Sequence, residues 1–148
     1  MNREHLLELW NDQVKEGNWV PSWPDSLKDL DAKSALWKPD ANDLSHCIWQ
    51  EVVHVNYWRE VTLEQLVGLP ARPEGESERF QFALPETTDE AAWVSTVAEL
   101  YETHDALAAA IADETKDLAR IPYHLIHDAY HLGRITQLRA MQGTAPKF

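Results

Sequence analysis

An all-α fold is the class this sequence predicts, and three observations predict it. The chain holds only five glycines in 148 residues. Its apolar residues recur at steps of three and four through long segments, the period of a helix with one buried stripe. The one extended stretch without either regular period is rich in proline, glycine and mixed charge, the composition of a connection.

The elements follow in order. Leu6, Leu7, Trp10 and Val14 share helical spacing, after which Gly17, Pro21 and Pro24 interrupt the chain before a second helical piece from about Asp25 to Trp37. The first helical region is thus broken. A second main helix is expected from near Asp43, a good N-cap, to about Leu66, with Leu44, Ile48, Val52 and Val55 on one stripe. GLPARPEGESERFQFALP, from Gly68 to Pro85, reads as the long connection, with room for a brief extended piece at Arg79 to Phe82. Thr87 followed by Glu90 matches a capping box, and Trp93, Val97, Leu100, His104, Leu107 and Ile111 then alternate steps of four and three. Pro122 suits the first turn of a last helix carrying Leu125, Ala129, Leu132 and Leu138, and Gly143 suits its stop. Four main helices in one domain spanning 1–148 result, with no internal repeat.

Charge and cysteine usage narrow the function. The formal net charge of −12 opposes nucleic acid and anionic membrane surfaces, which need clustered Lys and Arg to displace counterions. The N-terminal stretch lacks a signal-peptide pattern and no segment approaches the ~18 apolar residues of a membrane span, so the expected location is the cytoplasm. Cys47 is the single cysteine, which leaves no internal disulfide and no multi-cysteine metal site. Metal chemistry in this chain must use imidazole and carboxylate.

His127 and His131 stand four apart in HDAYHLG, and four residues at ~3.6 per turn bring two side chains within roughly 40° of one direction. Both can reach one ion, so a third ligand is sought on another helix among His46, His54 and His104, with His5 and His124 as bystanders. His54 lies mid-helix between Val52, Val53 and Val55, where an inward imidazole needs a partner. His46, beside the expected cap, reads as solvated; His104, on the apolar stripe, reads first as a core histidine and second as a substrate-facing group.

His54-Val-Asn-Tyr-Trp58, His127-Asp-Ala-Tyr-His131-Leu-Gly133 and the intervening GLPARPEGESERF together resemble the DinB-like, or YfiT-like, family of metal-dependent enzymes, over most of the chain. The resemblance implies a four-helix bundle in which one histidine of the second helix and an HxxxH pair of a later helix bind a divalent metal, here His54, His127 and His131. It also implies a homodimer, and thiol S-transferase or hydrolase chemistry on a small molecule such as a low-molecular-weight thiol. The family pattern reads Gly-Gln after the second histidine, whereas this chain has Gly133-Arg134. The family's name implies neither polymerase activity nor DNA binding.

Three neutral imidazoles leave a dipositive charge and an open position on a tetrahedral ion, and they suit zinc and nickel alike. Zinc in that setting brings water from pKa ~15.7 to about 7 and deprotonates a thiol. A zincin-like protease is a poorer fit, since HDAYH places Asp128 where HExxH has its general-base Glu, and the third histidine lies upstream. Other readings of the same ligands are a non-catalytic, stress-associated metal-binding bundle, and a helical interaction protein with core histidines.

Four more residues are candidates for chemistry. Glu51 precedes His54 by three and could approach the open position, as could Gln50. Asp128 reads as a surface carboxylate or as the hydrogen-bond partner of a ligand imidazole. Arg134 reads as an exposed salt bridge or as a clamp for a substrate carboxylate. His104 completes the set. Tyr57, Trp58 and Tyr130 are placed in the core before a pocket wall, and Cys47, roughly 10 Å along the helix from His54, is too far to coordinate with it.

Overall fold

The computed structural model describes residues 2–39 and 45–144, and among these it is all-helical, with seven helices and no strand. Helix α1 (Arg3–Asp12) starts because the Asn2 side chain accepts from the His5 backbone N–H at 2.8 Å. It ends at Asp12, so Val14 lies beyond it. Gly17 then turns the chain at φ +82°, where a Cβ would lie 2.2 Å from the Val20 carbonyl oxygen, so only glycine fits. In place of one helical piece from Asp25 to Trp37 there are two short helices, α2 (Trp23–Leu27) and α3 (Ala32–Leu36). Asp29, left-handed at φ 60°, breaks between them, and Ser22 and the Asp31–Ser34 capping box start each helix separately.

Helix α4 (Ile48–Leu66) begins later than the stripe implies: Cys47 is its N-cap, with Gln50 Oε1 accepting from the Cys47 N–H at 3.1 Å. The expected cap, Asp43, and Leu44 lie outside the described residues. The connection after α4 holds a short helix, α5 (Glu76–Phe80), instead of an extended piece at Arg79 to Phe82. Glu76 and Glu78 in its first turn and Arg79 in its last complement the helix dipole. Helix α6 (Glu90–Ala112) is capped by Asp89, not Thr87, through the Ala92 N–H at 2.9 Å. Glu90 reaches across to the Ala32 N–H at 2.9 Å and pins α3. Helix α7 (Ile121–Met141) has Pro122 in its first turn and left-handed Gly143 beyond its end, as expected.

Helix α4 packs on both α6 and α7, while α1 closes over α6 and α7 and the short α2 and α3 cover the near end. Two apolar clusters result. One gathers Trp23, Trp49, Trp93, Val52, Leu100 and Ile135; the other gathers Leu6, Trp10, Leu107, Ile111 and Ile121. Between them lies a charge. The fully buried Arg59 guanidinium is 5.0 Å from the Trp10 ring and 5.7 Å from the Trp23 ring, donates to the Leu100 carbonyl at 2.9 Å and pairs with Asp128 Oδ2 at 2.5 Å. Burial pushes the Asp128 carboxyl up, but the adjoining guanidinium outweighs it and holds the group below the usual carboxylate range.

Removing one partner of such a pair strands a buried charge, at a cost of roughly 3–5 kcal/mol. Asp128→Ala should therefore shift the urea midpoint strongly, and an unchanged midpoint would contradict this role. His104 offers a second test: its ring stacks on Trp10 at 4.9 Å with neither nitrogen hydrogen-bonded, and burial, aided by Arg59, lowers its pKa to about 4. The unfolded chain takes up a proton near pH 6.5 that the folded histidine refuses, so this contribution is present above pH 6.5 and is lost as pH falls toward 4. His104→Phe, which keeps the stack, should reduce the stability lost between pH 7.5 and 5 by about 2 kcal/mol, read from urea unfolding at the two pH values.

Candidate metal centre

Along α4, Glu51, His54 and Trp58 fall at helical spacing on one face; along α7, His124, His127 and His131 do the same. Because α4 packs on α7, the two faces meet. Ring centroids of His54 lie 5.0 Å from His127 and 4.6 Å from His131, with 4.5 Å between the latter two. One nitrogen from each falls within 4.8 Å of the others, so the three rings could hold one metal ion.

The bonding state of these rings fits a cation. His54 Nδ1 and both nitrogens of His127 are buried without a hydrogen-bond partner, a condition that ordinarily costs about 1–3 kcal/mol per group. Burial first, then the neighbouring His131 and His127, lower the His54 pKa to about 3, so it is neutral with a free lone pair. A pooled set of imidazole nitrogens favours zinc, nickel or copper over the oxygen-seeking magnesium and calcium.

Behind His131 stands Glu51, fully buried, with Oε2 2.5 Å from His131 Nδ1 and Oε1 accepting from Arg134 Nε at 2.8 Å. Burial raises the Glu51 carboxyl, but these two donors reverse the effect and hold it below its ordinary value. An ionised acceptor places the proton on Nδ1 and leaves Nε2 of His131 for the cluster. Behind His127 stands Asp128, with Oδ1 3.5 Å from Nδ1 though not aligned for a hydrogen bond. Each of the two carboxylates is held by an arginine from the opposite side of the pair: Glu51 of α4 by Arg134 of α7, and Asp128 of α7 by Arg59 of α4. The charges of these two carboxylates and two arginines cancel.

The candidates separate cleanly. Glu51 joins the site, and Asp128 backs it from the interior instead of lying on the surface. Arg134 forms a salt bridge that is part exposed and part buried: its side chain is 37% exposed, while its Nε is engaged with the fully buried Glu51 carboxylate. His104 lies in the core on Trp10, apart from the three rings. Cys47 is buried, and burial pushes its thiol up. His46, expected in solvent, is half-buried: it stacks on Phe82 at 3.7 Å and lies 3.9 Å from Glu51. Phe82 in turn stacks on His54 at 4.1 Å. The spacing of residues offered no signal for that contact, because Phe82 comes from the irregular connection.

Trp58 is not core. It lines a pocket of about 300 Å³ with His54, Thr62, Arg120, Tyr123, His124 and His127, and its indole N–H is fixed by Gln81 Oε1 at 3.1 Å. Tyr57 is buried, and Tyr130 is 60% exposed with its ring edge-on to His131 at 5.0 Å. A second donor group, His124, His127 and Asp128, is equally close-set. The Arg59 cation on Asp128 opposes an ion there, and His124 Nε2 is 2.8 Å from Thr62 Oγ1. No helix among the described residues is long and apolar enough to cross a membrane. No family model, curated protein or solved structure matches the chain.

Loss of the carboxylate behind a ligand imidazole typically costs 10–100-fold in metal affinity. Glu51→Gln should weaken zinc binding by about that factor in competition with a chromophoric chelator, while Glu78→Gln, on the exposed α5, leaves it unchanged.

Proposed function

We propose that the chain is a metal-dependent enzyme of the DinB/YfiT-like type, a thiol S-transferase or hydrolase, with His54, His127 and His131 holding a divalent zinc or nickel ion. On this reading α1, α4, α6 and α7 form the four-helix bundle that the resemblance implies, and the substrate is a small molecule. The observation that carries it is the convergence of three imidazoles with unpartnered buried nitrogens beside a pocket that reaches two of them. An ion held by neutral imidazoles keeps its full charge and lowers the pKa of a water or thiol that reaches it.

The residues of the chain then divide the work. Glu51 orients His131, Asp128 places a negative charge beside His127, Arg134 and Arg59 keep those carboxylates ionised, and Phe82 covers His54 and keeps water from that side. A non-catalytic metal-binding bundle needs the same ligands but no pocket beside them, and the pocket favours the enzyme.

Protein purified without chelators should carry about one divalent ion per chain by elemental analysis. His54→Ala and His131→Ala should each lose the ion together with turnover of thiol plus electrophile, or of activated esters. Turnover that survives complete metal loss would sink the mechanism.

A further inference from the structure

Arg120 lines the pocket beside His54 and His127. A second hollow of about 390 Å³ shares Thr62 and Arg120 with it and adds Lys116 and Asp117. The two adjoin at Thr62 and Arg120, and the outer one, the far part of this trough, is lined by none of the imidazoles. Its inner part is walled by Trp58 and Tyr123; its outer part is polar.

Cations gather at the outer part in a chain that has few to spare. Acidic residues outnumber Lys and Arg by 25 to 13, and Arg59, Arg72 and Arg134 are each taken up by carboxylates. Arg120 is exposed on the trough and pairs with no carboxylate among the described residues. Lys116 lies close by with its ammonium 3.3 Å from the Leu66 carbonyl, and Asp117 turns its Oδ1 to the Ala119 N–H at 2.9 Å. Helix α7 starts at this point with no acidic residue in its first turn and no side-chain cap, so its positive end adds to the same potential. Deeper in, His124 is 7% exposed with Nδ1 unpartnered on the pocket lining. A guanidinium with all its donors free matches a carboxylate in a bidentate fashion.

We infer that the trough takes an elongated organic carboxylate: its reacting end lies at His54 and His127, its apolar middle between Trp58 and Tyr123, and its carboxylate on Arg120. This rests on the proposed metal site and names the class of its substrate.

The test uses cobalt(II)-loaded full-length protein, in which thiolate binding gives a ligand-to-metal absorption band. Probes are ω-mercaptoalkanoates from mercaptobutanoate to mercaptooctanoate, each against the mercaptoalkanol of the same length. At least one acid should bind about three- to tenfold more tightly than its alcohol, the scale of one charge-assisted contact near the surface. Arg120→Gln should abolish that preference and Arg120→Glu should invert it, with the alcohol's affinity and the melting temperature unchanged. Equal affinities across the series, or a preference that survives both variants, overturn the inference while the metal site stands. Absence of cobalt d–d bands at one equivalent overturns the metal site and the inference with it.

Discussion

One guanidinium ties five helices together. Arg59 of α4 pairs with Asp128 of α7, donates to a carbonyl of α6 and lies between the indoles of Trp10 in α1 and Trp23 in α2. A buried charge is costly unless it is paired and hydrogen-bonded, and the groups that meet this one come from α1, α2, α6 and α7. An alternative sliding of α4 against α6 or α7 would leave the charge without partners. The pair thus sets the register in which the apolar clusters on either side close.

That register also aims the candidate metal site. Asp128 touches Arg59 with one oxygen and faces His127 with the other, so the interaction that locks α4 to α7 stands directly behind one imidazole. Glu51 repeats the arrangement with Arg134 and His131 in the reverse sense. Stability and ligand placement share the same residues. His131 is held by a carboxylate that is itself fixed by Arg134, which is a condition for a preorganised site.

The solvent side is built differently. Phe82, from the connection that follows α5, stacks between His46 and His54, and Gln50 holds its carbonyl at 3.3 Å. Trp58 is steadied by Gln81 of the same connection. One irregular segment therefore covers His54 of the cluster and steadies Trp58, one wall of the pocket beside it. Net neutrality of the carboxylate–arginine pairs beneath the rings leaves the field of the trough to the charges on its own lining, Arg120, Lys116 and Asp117.

By itself the sequence determined the helical class, the long helices with the stops of α4 and α7, and the shared face of His127 and His131, because helical period and i, i+4 geometry are local and are written in neighbouring residues. It also placed Glu51 and Asp128 near the candidate ligands through their spacing. Arg59 was legible in principle, since it continues the Ile48, Val52, Val55 stripe where an arginine is out of place, yet nothing nearby named its partner. Only the tertiary structure decided that Asp128 is its counter-ion, that Arg134 pairs with Glu51, that Thr87 yields its capping role to Asp89, and that His46, Phe82 and Arg120 surround the site. Those outcomes depend on which helix faces which, a contest among burial, pairing and close packing over long separations that no local pattern records.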